Sequence, residues 1–247
     1  MSRIISILSG KGGVGKTTVA VNLSSTLSLL GFKTCVVDVN FTTPHLSTEF
    51  GTFSKGLEIE PSQINSNLWL VSMPLSLSSL QYLDLEEIKR KIKNLKNEFS
   101  FIILDSAPGF GREALISLEL ADEVLIVVNP VFSSLMDALK LKKLSIEMGK
   151  KVSGIIVNKR KYSKYEIEPE DIQKLLEAPI IGIIKENKEF IKYSFLHKPI
   201  VFENEEVRKE FEIIARAIAY GEILQISQIE KENLLSKIKK KLFKFFP

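Results

Sequence analysis

Residues 10–17 read Gly10-Lys11-Gly12-Gly13-Val14-Gly15-Lys16-Thr17, which matches the phosphate-binding pattern G-x-x-x-x-G-K-[ST]. The stretch follows the apolar run Arg3–Leu8, a predicted strand, and opens a helical pattern over Lys16–Leu30. Glycines let the backbone wrap closely around a phosphate and turn its N–H groups inward, and the helix N-terminus adds positive charge. In such a loop Lys16 meets the β- and γ-phosphates and the Thr17 hydroxyl ligates Mg²⁺. The stretch therefore predicts a phosphate-binding loop (P-loop) with a magnesium site.

The rest of the chain alternates between short apolar runs and helical patterns. Several runs are continuous Ile, Val and Leu, as in parallel strands that are covered on both faces. The alternation predicts an α/β fold with a doubly wound, mostly parallel β-sheet flanked by helices, and with ligands beyond the carboxyl ends of the strands. Residues 40–67 are predicted to form a long loop. The other predicted strands are Thr34–Val39, Leu68–Val71, Phe101–Leu104, Glu123–Val128, Val152–Val157 and Ile180–Ile184, and the other helices are Leu85–Leu95, Ser134–Met148 and Pro169–Leu176.

Two aspartates stand at the ends of predicted strands. Asp38 ends the second strand, and Asp105 follows the run Phe101–Leu104. Either residue alone is a common strand-end aspartate, but an acid that follows a buried strand beside a P-loop is well placed for the magnesium shell. Mg²⁺ keeps several water ligands, through which carboxylates can act. We therefore predict Thr17, Asp38 and Asp105 as the metal-binding residues.

Composition excludes several classes of protein. Cys35 is the only cysteine among 247 residues and lies in an apolar run, which excludes an intramolecular disulfide and argues against an iron–sulfur cluster. His45 and His197 show no metal-ligand spacing. No stretch approaches the ~18 consecutive apolar residues of a membrane-spanning helix, so we predict a cytoplasmic protein. The net charge is +4, but residues 237–247 hold five lysines and no acid, so the rest of the chain is slightly acidic.

The C-terminal residues show the pattern of an amphipathic helix. At 100° per residue one face is apolar, lysines occupy the remaining surface, and Phe243 sits somewhat apart. This pattern predicts a helix that lies in the membrane interface on anionic headgroups, the alternative being a helix packed on its own domain. The predicted division is a nucleotide-binding domain over residues 1–228 and a peripheral membrane-targeting helix over residues 229–247. Its predicted membrane residues are Leu234, Leu235, Ile238, Leu242, Phe243, Phe245 and Phe246.

Lys11 adds a second lysine to the loop, in the run Lys11-Gly12-Gly13-Val14-Gly15-Lys16-Thr17-Thr18. The run resembles the deviant Walker A motif of the MinD/ParA ATPases, in particular MinD-like positioning ATPases of archaeal type, and the resemblance covers nearly the whole chain. It implies the P-loop NTPase fold, ATP and Mg²⁺ as cofactors, and nucleotide contacts throughout Gly10–Thr18. It also implies an ATP-sandwiched homodimer in which Lys11 reaches the partner's phosphates, as an arginine finger does. The alternative for Lys11 is a solvated loop lysine.

The resemblance extends to three further segments. Residues 38–51 look like the first switch of the family, and residues 105–109 like the second. Asn158 matches the asparagine that hydrogen-bonds adenine, although an asparagine at a strand end also caps turns. The segments 184–187 and 198–201 resemble the loop that closes over the base, which implies nucleotide contacts by Glu186 and Pro199.

Asn40 departs from the family pattern. Many MinD and ParA proteins carry an aspartate at this place of the first switch, where it positions or activates the attacking water. An amide can orient water but cannot accept a proton at neutral pH. We therefore expect slow ATP hydrolysis, with Lys11, Lys16, Asp38, Asn40 and Asp105 as the catalytic residues.

These features together predict a MinD-like ATPase that forms an ATP-dependent homodimer, binds an anionic membrane surface through its tail, and is released by partner-stimulated hydrolysis. Its task would be to position a cellular machine. Two alternatives remain. A ParA-like DNA-partition ATPase would need a basic surface, which the slightly acidic body disfavours despite Lys159-Arg160-Lys161 and Lys164. The other is a membrane scaffold that senses ATP and hydrolyses it poorly.

Overall fold

A single β-sheet forms the centre of the protein. The computed structural model describes residues 2–41, 43–52, 60–72 and 85–231. Within them the sheet has eight strands in the order β3-β4-β2-β5-β1-β6-β7-β8. Neighbouring strands are parallel, except that β3 runs antiparallel to β4 at one edge. The strands are β1 (Arg3–Leu8), β2 (Thr34–Asp38), β3 (Ser62–Asn65), β4 (Leu68–Val71), β5 (Phe101–Asp105), β6 (Glu123–Val128), β7 (Lys151–Arg160) and β8 (Ile180–Lys185).

Helices cover both faces of the sheet. α1 and α8 lie on one face, where Ile5 and Ile7 of β1 pack against them. The other face packs against α3, α4, α5 and α6, and there Ile4 and Leu8 point the opposite way, as the alternation of a strand requires. The helices are α1 (Lys16–Leu29), α2 (Leu46–Glu49), α3 (Leu85–Asn94), α4 (Arg112–Leu120), α5 (Phe132–Glu147), α6 (Pro169–Leu176), α7 (Glu189–Phe195) and α8 (Glu205–Tyr220).

This architecture confirms the predicted α/β fold, with every predicted strand present. The central strands β2, β5 and β6 are buried along their whole length, which explains their continuous apolar sequences. The predicted loop over residues 40–67 was wrong in two places, because it contains the short helix α2 and the edge strand β3. β3 was not predicted because its sequence, Ser62-Gln63-Ile64-Asn65, contains a single apolar residue and so gives no strand pattern.

The C-terminal part of the described chain joins the core. A helical segment at residues 226–231 places Ile226 and Ile229 against the cluster shared by β6, β7 and α5. Ile229 therefore packs with the nucleotide-binding domain, although the predicted boundary sets it in the tail. No helix within the described ranges has the length and apolarity needed to cross a bilayer. The predicted membrane residues Leu234, Leu235, Ile238, Leu242, Phe243, Phe245 and Phe246 lie outside the described residues.

Candidate functional site

The P-loop connects β1 to α1, as its sequence predicted. Gly13 and Gly15 have φ angles of +77° and +96°, in the left-handed region that glycine adopts without strain. A Cβ atom on Gly15 would lie 2.2 Å from Nδ2 of Asn158, and one on Gly10 would lie 2.1 Å from Cβ of Asp137. The loop is therefore held tightly between the end of β7 and α5. Its backbone forms a cradle that a larger side chain would fill, which suits a phosphate group.

Lys16 and the two aspartates meet at the carboxyl edge of the sheet. Asp38 and Asp105 are register partners on β2 and β5, and they are 1% and 2% exposed. The Lys16 ammonium group donates to Oδ1 of Asp105 at 2.6 Å. Two buried carboxylates beside one buried lysine leave an excess of negative charge. This donor set fits a hard divalent cation such as Mg²⁺, whose other ligands are water and phosphate oxygens.

Asp38 also holds the backbone of Asn40, His45 and Leu46 in place. Its Oδ1 accepts from the backbone N–H of Asn40 at 3.0 Å. Its Oδ2 accepts from the N–H groups of His45 at 2.8 Å and Leu46 at 3.1 Å, at the start of α2. Burial, and then the nearby Asp105 carboxylate, raise the pKa of Asp38 to about 7, although these N–H groups oppose the shift. A bound cation would favour the ionised form of this carboxyl group.

A cavity of about 820 Å³ opens in front of the P-loop. It brings together most of the predicted residues: the loop from Lys11 to Thr18, Asn40, Asn158 and Glu186. Gly10, Asp38 and Asp105 lie behind its wall and do not line it. Pro199 does not line it either, because its segment docks on α1, where the N–H of Val201 donates to Oδ1 of Asn22 at 3.3 Å. The other lining residues are Ser9, Thr43, His45, Pro108, Lys159, Lys185, Asn187, Lys188, Phe190, Ile191 and Ser194.

Two consecutive residues of β7 hold the P-loop from the side. Nδ2 of Asn158 donates to the carbonyl oxygen of Val14 at 2.8 Å. Nζ of Lys159 donates to the carbonyl oxygen of Gly13 at 2.6 Å. Both side chains also line the cavity. Asn158 thus supports the phosphate end of the site, a contact that its sequence position alone did not predict.

Lys11 lies at the rim of the site. Its Nζ donates to Oγ of Ser133 at 2.9 Å, near the start of α5. Large apolar side chains are exposed around this contact, and Phe132 is 68% exposed. The N–H of Gly109 donates to the carbonyl oxygen of Ser9, so the exposed Phe110 comes directly after a residue that contacts the start of the P-loop. We call this surface the P-loop rim, and it consists of Phe110, Val131, Phe132 and Met136.

A model of the CobQ/CobB/MinD/ParA nucleotide-binding domain matches residues 5–200. The chain belongs to this family. An uncharacterised ATP-binding protein of Methanocaldococcus jannaschii is 29% identical in an alignment that covers 98% of this chain and 97% of that protein. The septum site-determining protein MinD of Pyrococcus horikoshii, solved with Mg-ADP, is 28% identical and gives a TM-score of 0.83 over 89% of this chain and 97% of its own. The MinC:MinD complex of Aquifex aeolicus is 28% identical, with a TM-score of 0.79 over 91% and 98%.

Membership of the MinD/ParA family agrees with the geometry. The resemblance drawn from the lysine-containing loop is confirmed. The chain is a P-loop protein of an ATPase family, and its cofactors are ATP and Mg²⁺. The cavity lies in front of the P-loop, and the buried carboxyl groups of Asp38 and Asp105 lie at the same edge of the sheet.

Sequence reasoning missed several residues of this MinD/ParA site. Lys159 could have been noticed because it follows Asn158 at the end of a predicted strand. Phe190, Ile191 and Ser194 come from α7, which was not predicted because a helix of seven residues gives little periodic signal. His45 was set aside as a metal ligand, and the structure shows that its backbone N–H, rather than its ring, contacts Asp38.

Proposed function

We propose that the chain is a MinD-like ATPase in which ATP drives formation of a homodimer, and the dimer binds the membrane reversibly through the C-terminal helix. Slow hydrolysis, stimulated by a partner protein, returns it to the cytoplasm. Such a cycle positions a larger cellular machine. The observation that carries the proposal is the setting of Lys11, a cation at the mouth of the nucleotide cavity beside the exposed P-loop rim.

The two lysines of the loop support different roles. Lys16 is buried and paired with Asp105, so it belongs to the phosphate site of its own chain. Lys11 contacts Ser133 of α5 at the surface, where a second copy of the chain could bind its ammonium group. Apolar side chains are normally scattered over a monomer surface, and a cluster beside a charged loop favours an interface. The P-loop rim therefore supports a dimer that would bring Lys11 to the phosphates of the partner.

Chemistry at the site would follow from charge and position. Lys16 and the P-loop N–H groups would bind the phosphates, and Thr17, Asp38 and Asp105 would hold Mg²⁺, which supplies charge neutralisation on the β- and γ-phosphates. Asn40 lines the cavity, and its Oδ1 lies 3.2 Å from Oγ1 of Thr43. As an amide it would orient the attacking water without taking its proton. This supports slow hydrolysis and a need for stimulation.

A partner protein is part of the proposal. In the MinC:MinD complex of Aquifex aeolicus a second protein accompanies a chain similar to this one. The exposed face of α5 beyond the P-loop rim, around Lys140, Lys143 and Ile146, is the surface proposed for such a partner here.

DNA is not proposed as a partner, since Arg160 and Lys161, at the end of β7 and just after it, are paired with acidic side chains. Arg160 is 3% exposed and pairs with Glu166 and Glu168, and Lys161 pairs with Glu186.

Sedimentation with anionic vesicles tests the membrane cycle. We expect the full chain to sediment with ATP and Mg²⁺ and to remain in the supernatant with ADP. Two tails on one dimer act together, and avidity raises apparent affinity by ~10²–10⁴. Replacing Leu242 and Phe246 by Asp should abolish sedimentation while nucleotide binding is retained.

The matched control is the double variant Tyr165→Asp and Leu175→Asp, which adds the same two charges at an aromatic residue and a leucine that are exposed on the folded domain. This variant should sediment as the unmodified chain does. Equal sedimentation in ATP and ADP would contradict the nucleotide switch. Sedimentation of the Leu242 and Phe246 double variant would contradict membrane binding through the tail.

A further inference from the structure

Lys159 adopts an unusual backbone conformation. Its φ angle is +58°, in the left-handed region that a lysine seldom occupies. The pairing of β7 with β8 shifts register between Val157 and Arg160, so Lys159 lies within an irregularity of the strand. Such irregularities re-aim side chains next to functional sites. Strained residues persist where the surrounding structure enforces them, which raises the question of what this one achieves.

The side chain of Lys159 reaches the tip of the P-loop. Its ammonium group lies 2.6 Å from the carbonyl oxygen of Gly13. Cβ atoms built on Gly12 and Gly13 would meet nothing within 4 Å, so no packing on that side fixes this part of the loop. The adjacent Asn158 holds the next carbonyl group, that of Val14. Two consecutive side chains of β7 thus hold two consecutive carbonyl groups of the loop.

The geometry of the peptide group gives these contacts a consequence. A trans peptide is planar, and its C=O and N–H groups point in opposite directions. Drawing the carbonyl of Gly13 toward Lys159 therefore turns the N–H of Val14 the other way. In the same manner, the contact with Asn158 turns the N–H of Gly15. A phosphate-binding loop depends on the direction of such N–H groups.

We propose that Lys159 is a positioning residue for the phosphate chain of a nucleoside di- or triphosphate. Its ammonium group fixes the orientation of the peptide group between Gly13 and Val14. The strained left-handed backbone of Lys159 directs the side chain toward the loop. The inference rests on the proposed nucleotide chemistry of this site. It assigns the lysine to the loop backbone, and no direct contact with a phosphate is required.

The test exploits the opposite effects of glycine on strain and on function. Lys159→Gly relieves the left-handed backbone and removes the ammonium group, whereas Lys159→Met removes the ammonium group and keeps the strain. We expect the glycine variant to be more heat-stable than the methionine variant when no nucleotide is added. Both should bind Mg-ADP at least about tenfold more weakly than the unmodified chain, since the nucleotide must then order a peptide that the charged hydrogen bond no longer holds in place. Lys159→Arg should restore most of the affinity.

Lys151→Met is the matched control, because Lys151 is an exposed lysine at the opposite end of β7. Titration with fluorescent ADP and thermal melts provide the two readouts. Lys159→Gly with unmodified affinity would overturn the proposal, as would Lys159→Met with the affinity of Lys151→Met. Absence of ADP binding by the unmodified chain would instead contradict the proposed function itself.

Discussion

Asp38 and Asn40 are two residues apart at the end of β2. The carboxyl group of Asp38 can bind and release a proton, and the amide of Asn40 cannot. Asp38 is buried, accepts three backbone hydrogen bonds and has its pKa raised to about 7 by burial and by Asp105. Asn40 lines the cavity but has no titratable group. The Asn40 side chain, which lines the cavity, therefore cannot serve as a base, and the nearby Asp38 carboxyl group is buried and bound by backbone N–H groups.

Replacing Asn40 by Asp should accelerate ATP hydrolysis. A carboxylate at this position can accept a proton from the attacking water, and general base catalysis contributes about 10²-fold or more. Phosphate release from the full chain in saturating Mg-ATP measures the effect. Asn40→Ala is the control and should be no faster than the unmodified chain. Equal rates for Asn40→Asp and the unmodified chain would show that Asn40 does not limit hydrolysis.

Sequence alone located most of the residues that line the nucleotide cavity. The P-loop, Asn40 and Asn158 occupy the predicted edge of the sheet because strand ends fix their positions. Lys159 follows Asn158 in the sequence, but its hydrogen bond to Gly13 accompanies a positive φ angle that the sequence does not signal. Ser194 reaches the cavity only because α7 turns back on α2, where Oγ of Ser194 donates to Glu49 at 2.8 Å. Such contacts between distant segments have no local pattern.

At the scale of elements, the contact between β8 and α8 buries an ionisable side chain. Glu210 of α8 is buried, and its Oε2 accepts from the backbone N–H of Lys185 at 3.2 Å. The Lys185 ammonium group lies 3.7 Å from Oε1 of the same carboxyl group and also pairs with Glu206. Burial raises the pKa of Glu210 to about 8, and Lys185 only partly offsets it. The helix therefore holds a carboxyl group that is mostly protonated at neutral pH.

Glu210→Gln should make the stability of the domain less dependent on pH. In the unfolded chain this carboxyl group ionises near its usual pKa of 4.5, whereas the folded chain keeps the proton until about pH 8. The contribution of Glu210 to the free energy of unfolding is therefore complete below about pH 4.5 and decreases as the pH rises to about 8. Between pH 6 and pH 8 the unmodified chain should lose about 2 kcal/mol more than the variant.

Urea unfolding at the two pH values measures this difference. Glu212→Gln on the same helix is the control and should leave the pH profile of the unmodified chain unchanged. A Glu210→Gln variant whose free energy of unfolding falls with pH as steeply as that of the unmodified chain would show that Glu210 does not titrate in this range.

Elements differed in how well the sequence revealed them. Buried parallel strands were predicted because both of their faces are apolar. α8 was overlooked even though Asn204 accepts from the N–H of Val207, acidic residues begin the helix and Gly221 ends it, which are the usual signals of a helix. The short elements α2 and α7 contact one another, as in the hydrogen bond that Oγ of Ser194 donates to Glu49. They form because of tertiary packing rather than local preference.

For the molecule as a whole, dimerisation is the property on which the proposed cycle depends. Lys11→Ala should leave ATP binding within a few-fold of the unmodified chain, because Lys16 and the P-loop backbone remain. It should abolish the ATP-dependent dimer, since the charge offered to the partner's phosphates is lost. Sedimentation velocity with Mg-ATP and with Mg-ADP measures the assembly.

Lys209→Ala removes a surface lysine from α8, which packs mainly on the opposite face of the sheet from α5, and serves as the control. It should form the dimer with ATP. A Lys11→Ala variant that dimerises with ATP as readily as this control would contradict the role of Lys11. An unmodified chain that stays monomeric in ATP would contradict the dimer itself.

The two edge strands of the sheet limit the ways in which copies of this chain can associate. Within the described residues one margin is β3, a four-residue strand of mostly polar sequence. The other is β8, where Gln173 accepts from the N–H of Ile180 and Glu210 accepts from that of Lys185. Short polar strands and side-chain caps discourage the addition of a foreign strand. Edge-to-edge pairing of strands from different copies, and fibril growth by such pairing, are thereby disfavoured. Copies are then expected to associate through loop and helix surfaces, from which they can dissociate again.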